Sequence, residues 1–133
     1  MGTLRKIVSL DWDGTLVKNT WPAKSYEWMP GAPEAIQSFL DAGCTVFVFT
    51  ARISPMVFMN ETIPKNPADV QGEINYIREM LDDHGFYGVK IWTSPWKPYA
   101  DAYVDDKAVH YAGRSTSWAN VTEKVLTMFG VED

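Results

Sequence analysis

The feature that most constrains this chain is a short apolar run that ends in acid. Ile7, Val8 and Leu10 fall within four residues. That is the length and composition of a strand covered on both faces. Asp11 follows at once, then Trp12, Asp13, Gly14 and Thr15. Carboxylates are poor packing choices at the end of a central strand. In open α/β sheets that carboxyl end is where ligands bind. Gly14 lets the backbone turn sharply away after Asp13.

The remaining elements alternate. Residues 16–29 include Trp21, Pro22, Tyr26 and Trp28 without a clear period, and read as a structured loop or small hairpin arching over the strand end. Pro33 suits a first helical turn, Ile36, Phe39 and Leu40 share a helical face, and Gly43 closes that helix. Residues 45–49 read as a second strand, β-branched and aromatic, ending at Thr50, Ala51 and Arg52. Three prolines break the pattern over 53–69, a long loop of the kind that often carries function. A helix is expected from about Val70 to His84, with Ile74, Ile77 and Leu81 buried. Strands follow at 89–92 and 102–104, the latter ending in Asp105 and Asp106, with a short fifth at 108–111. A last helix starts near Ser117 and buries Trp118, Val121, Val125 and Phe129. This alternation predicts an α/β fold with a mostly parallel sheet and helices on both faces.

The 133 residues suggest one domain, 1–133, and 46% hydrophobic residues suffice for a core. The net charge of −5 argues against non-specific nucleic-acid binding, while leaving room for a local basic pocket. One cysteine, Cys44, makes no internal disulfide and reads as a small buried residue. No apolar run approaches membrane length, so a reducing, soluble, cytoplasmic setting is expected.

Three strands thus end in polar residues: Asp11 and Asp13, then Thr50, then Asp105 and Asp106. Lys97 precedes the fourth strand. Parallel strands share one carboxyl edge, so these groups converge if their strands are neighbours. Each has a plainer reading. Asp13-Gly14 is a common turn signal, and Asp105-Asp106 suits a solvated turn. Thr50 can simply end a strand. Lys90 competes with Lys97, and Arg52 suits an ordinary surface position. Arg52 lies just after Thr50 at the same edge, which makes it a candidate substrate contact.

In order and position, Asp11-Trp-Asp-Gly-Thr, Thr50, Lys97 and Asp105-Asp106 resemble the four motifs of the haloacid dehalogenase superfamily, across residues 6 to 111. The resemblance implies a Rossmann-like three-layer sandwich with a five-stranded sheet of order 3-2-1-4-5. It implies phosphoryl transfer through an aspartyl-phosphate. Asp11 would be the nucleophile, and Asp13 would protonate the leaving oxygen and then activate water. Thr50 and Lys97 would complete the catalytic set. Trp12, through its backbone amide, Gly14, Ala51 and Arg52 would contact substrate. Two unit charges about 4 Å apart repel by about 4 kcal/mol at an effective dielectric near 20, so carboxylates facing a phosphate need a counter-charge. The family supplies Mg²⁺, held by the Asp11 carboxylate, the Asp13 carbonyl and an acid of the last motif. Asp106 is favoured there, with Asp105 in support. Dehalogenases of the family lack an acid two residues after the nucleophile, so Asp13 points to phosphatase or phosphotransferase chemistry.

Residues 15–30 are fewer than the roughly 40 a small independent domain needs, and only 93–96 separate the third strand from Lys97. The expectation is a member without a cap domain. Its site would be open, or partly closed by 16–29, by 53–69, or by a second subunit of a homo-oligomer. The acidic balance favours a small phosphorylated substrate over a nucleic-acid or protein phosphate. A non-catalytic binding module on the same fold is the competing class. A phospho-accepting receiver is set aside, because no acid follows Trp92, and no G-x-x-x-x-G-K loop supports a P-loop kinase.

Overall fold

The computed structural model describes residues 6–21, 23–53, 67–94, 98–105 and 118–130. In chain order they form β1 (Ile7–Leu10), α1 (Ala32–Asp41), β2 (Thr45–Val48), a 3-10 turn (Ala51–Ile53), α2 (Pro67–Asp83), β3 (Lys90–Ile91), β4 (Ala102–Val104) and α3 (Trp118–Met128). The four strands make one parallel sheet of order β3-β2-β1-β4. The α/β class and the parallel sheet agree with the sequence. The expected strand at 108–111 lies outside the described residues.

Register explains the core. Val8 pairs with Val46 and Ala102, and Leu10 with Val48 and Val104. Side chains alternate across a strand, so these six share one face, and all six are buried. Ile36 and Phe39 of α1, Ile77 and Leu81 of α2, and Val121 and Val125 of α3 join the same cluster. The opposite face carries Ser9, buried, with half-buried Ile7 and Phe47 and the more exposed Tyr103. The steps β1-α1-β2 and β2-α2-β3 run in one direction, and right-handed crossovers put α1 and α2 on one face. α1 packs on β2 and α3, and α2 on β3 and the 3-10 turn.

Two boundaries moved for local reasons. α2 begins at Pro67, three residues before Val70. A proline fits a first helical turn, where its missing N–H costs nothing. β3 is shorter than 89–92, yet Trp92 N–H still donates to Val48 O at 2.9 Å, so the pairing outlasts the strand.

Candidate functional site

Because β1 lies between β2 and β4, three expected strand ends become neighbours. Asp11 leaves β1, and its N–H donates to Val104 O, the last residue of β4, at 2.9 Å. Asp105 follows Val104 directly. On the other side Phe49 N–H donates to Leu10 O at 3.0 Å, which brings the chain to Thr50 beside Asp11. Asp11, Thr50 and Asp105 therefore share one edge. Lys97 and Asp106 lie outside the described residues.

The turn after β1 is tightly made. Gly14 takes φ 80°, a left-handed conformation, and its N–H donates to Val17 O at 2.8 Å. Leu16 N–H and Val17 N–H both donate to Trp12 O. Lys18 N–H to Glu27 O and Met29 N–H to Leu16 O close a small hairpin, with Val17 bridged to Trp28 in antiparallel fashion. Thr15 is buried, and its hydroxyl has no hydrogen-bond partner among the described residues. Its carbonyl accepts from Trp118 Nε1 at 2.8 Å.

Trp12 packs rather than lining a cleft. It is fully buried, edge-on to Trp28 and Tyr76, and its Nε1 donates to the Tyr76 hydroxyl at 3.1 Å. That hydroxyl in turn donates to Ser25 O in the hairpin. Burial pushes the Tyr76 phenol above its usual range, against the Trp12 hydrogen bond and the Arg52 charge.

Arg52 is fully buried. Its Nε donates to Asp13 Oδ1 and Oδ2 at 3.1 and 2.9 Å, and its Nη2 to Oδ1 at 2.8 Å. Nη1 reaches Glu73 Oε1 at 3.2 Å, and Nη2 also donates to Ala23 O. Burial alone would lower the guanidinium's proton affinity. The hydrogen bonds and charge of Asp13, then Glu73, outweigh it and hold Arg52 above its usual range. Thr50 is buried, and its Oγ1 accepts from Arg52 N–H at 3.2 Å, which starts the 3-10 turn. Ala51 at the head of that turn is exposed.

The structure thus gathers Asp11, Asp13, Thr50 and Asp105, and gives Arg52 to Asp13. Sequence reasoning missed Glu73 and Tyr76. Their one available signal was the placement of polar groups on the turn of α2 that also carries the buried Ile77. A groove of about 790 Å³ lies between α1 and α3, lined by Glu34, Ser38, Asn120 and Glu123 among others, and it includes none of these candidates.

The donors present suit magnesium by chemistry. Asp11 and Asp105 offer carboxylates from adjacent strand ends, and the Asp13 carbonyl accepts no backbone hydrogen bond among the described residues. Magnesium takes hard oxygen ligands such as these and keeps several waters. Among the described residues no group of three acidic, histidine or cysteine side chains converges as a ready metal cage.

The sequence matches no protein-family model and no curated protein. In three dimensions the chain is similar to a conserved protein from Bacteroides thetaiotaomicron. The TM-score is 0.57 at 16% sequence identity, over 92% of this chain and 91% of that one. At that identity the likeness shows the fold alone.

Proposed function

We propose that the protein is a Mg²⁺-dependent phosphomonoester hydrolase of the haloacid dehalogenase type. In this reading the four described strands belong to a five-stranded sheet of order 3-2-1-4-5 in a three-layer sandwich. The observation that carries it is the adjacency of β2, β1 and β4, which puts Thr50, Asp11 and Asp105 at one carboxyl edge.

In the first step an Asp11 carboxylate oxygen attacks phosphorus. A P–O bond to Asp11 forms, the P–O bond to the leaving group breaks, and its electron pair departs with that oxygen. Asp13, a carboxylate in its pair with Arg52, first takes up a proton from solvent, then gives it to the leaving oxygen, releasing an alcohol. In the second step Asp13, now a carboxylate, takes a proton from water as the water oxygen bonds to phosphorus. The bond to Asp11 breaks, returning its carboxylate and releasing inorganic phosphate. The Thr50 hydroxyl accepts from Arg52 N–H, which leaves its O–H for a phosphate oxygen. Lys97 would add positive charge. Mg²⁺, held by Asp11, the Asp13 carbonyl and Asp106 with Asp105 in support, would offset the charge of the phosphate. The net charge of −5 favours a small phosphorylated molecule as substrate.

One observation favours a binding module instead: the Asp13 carboxylate is already engaged by a buried guanidinium. A panel of phosphate esters with and without Mg²⁺, run on wild type, Asp11→Asn and Asp13→Ala, separates the two. The hydrolase reading expects Mg²⁺-dependent turnover that Asp11→Asn abolishes while the protein stays folded. Unchanged turnover in that variant would sink it, and a wild type that hydrolyses no ester would favour the module.

A further inference from the structure

We propose that Arg52 is the positioning residue of Asp13, with Glu73 as its anchor, and that Asp13 Oδ2 is the atom that carries the exchanged proton. This rests on the phosphoryl-transfer reading above.

A carboxylate offers about four lone-pair positions over its two oxygens. Arg52 donates Nη2–H to Oδ1 at 2.8 Å and shares its single Nε–H between Oδ1 at 3.1 Å and Oδ2 at 2.9 Å, which engages Oδ1 twice and Oδ2 once. One position on Oδ2 is left. A proton there keeps Nη2 on Oδ1, so the grip survives both protonation states that the two steps require. The grip is itself held. A guanidinium is a rigid planar fork, so a third point of attachment sets the plane it presents. Glu73 Oε1 supplies that point from α2 at 3.2 Å. Ala23 O supplies another from the hairpin. The rings of Trp21 and Tyr76 flank the guanidinium, with centroids 4.9 and 5.5 Å from its central carbon. The Asp13 side chain keeps 15% exposure while Arg52 has none. Of the pair, only the carboxylate is reachable from outside.

A structural ion pair and a positioning pair differ in what they do to different leaving groups. As the P–O bond breaks, an alkyl leaving group needs the proton from Oδ2 to depart as an alcohol. A nitrophenolate departs with its charge and needs little help. In the first step, misplacing Asp13 therefore weighs on alkyl esters, whereas general loosening weighs on both. Its second task, on water, is common to the two esters and falls after the step that kcat/KM reports.

The test uses the full chain with Mg²⁺, and compares glycerol phosphate with p-nitrophenyl phosphate for wild type, Arg52→Lys and Glu73→Gln. Positioned acid–base groups contribute about 10²–10⁴-fold, so Arg52→Lys should lower kcat/KM about tenfold or more on the alkyl ester and about threefold or less on the aryl ester. Glu73→Gln should act in the same sense and more weakly. Circular dichroism establishes that each variant is folded. Where Arg52→Lys does not fold, Glu73→Gln carries the comparison, since it leaves the fork on Asp13 in place. Equal losses of kcat/KM on the two esters, or none, would overturn the positioning role alone. A wild type inert towards both esters would overturn the hydrolase reading, and this inference with it.

Discussion

At the residue scale, what could be read from the chain depended on how far apart the partners lie. Asp11 and Asp13 share one turn, so their placement follows from local order. The partners of that turn do not. Arg52 is 39 residues from Asp13, and Tyr76 is 64 from Trp12. Which side of α2 meets the hairpin depends on how the helix is rotated, and apolar periodicity marks Ile77 and Leu81 without saying that Tyr76 beside them is bonded. Tyr76 joins three pieces through one oxygen: it accepts from Trp12 Nε1 and donates to Ser25 O. Tyr76→Phe removes that oxygen and little else. It leaves the buried Trp12 N–H and the Ser25 carbonyl unpaired, and an unsatisfied buried polar group costs about 1–3 kcal/mol. Urea denaturation should show a loss in that range. A change below about 0.5 kcal/mol, the scale of an ordinary surface substitution, would mean that the hydroxyl does not tie the hairpin to the site.

At the scale of elements, the described helices and strands were legible from their periods, while the lack of one over 16–29 left a loop and a small hairpin both open. The packing of helix on helix was not, because it turns on single small residues. Gly31 precedes α1 with φ 86°, and a Cβ there would stand 3.0 Å from Trp118 Cβ at the start of α3. The sequence Pro30-Gly31-Ala32-Pro33 announces a helix start, yet it says nothing of Trp118, 87 residues on. Gly31→Ala is strained twice. The left-handed backbone costs about 1–3 kcal/mol for a residue with a side chain, and the new methyl pushes α3 away from α1. Gly72 in α2 is the matched control, since nothing lies within 4 Å of its Cβ position. Gly72→Ala should stabilise by about 0.5–1 kcal/mol through helix propensity. Thermal melting should move down for the first variant and up for the second. Equal shifts would show that the Gly31–Trp118 approach does not limit how the helices pack.

At the scale of the whole molecule, sheet order is the property that no local pattern supplies. Apolar runs at 7–10, 45–48 and 102–104 mark strands, but their adjacency depends on pairing across the chain. Only that pairing brings the candidate acids together at one edge. The other end of the β1–β4 pair is secured by a carboxylate. Asp101 N–H donates to Ile7 O at 2.8 Å, and Asp101 Oδ2 accepts from Ile7 N–H at 2.8 Å. The Ile7 N–H holds this carboxyl below its ordinary value of 3.8, against partial desolvation, with the Tyr99 hydroxyl and the Lys6 charge in support. The sign of the consequence follows by linkage. A carboxyl with a folded value below its unfolded one binds protons more weakly in the folded state, so unfolding takes up a proton as the medium turns acid. Its contribution is fully present above the unfolded value and is lost as pH falls through the folded one. Asp101→Asn keeps an oxygen for Ile7 and removes the titration. The stability difference between wild type and Asp101→Asn, followed by urea denaturation from neutral pH downward, should hold steady above the ordinary carboxyl range and shrink below 3.8. A difference that stays flat across that range would mean that the β1–β4 clasp is closed by hydrogen-bond geometry alone, with no part played by its charge.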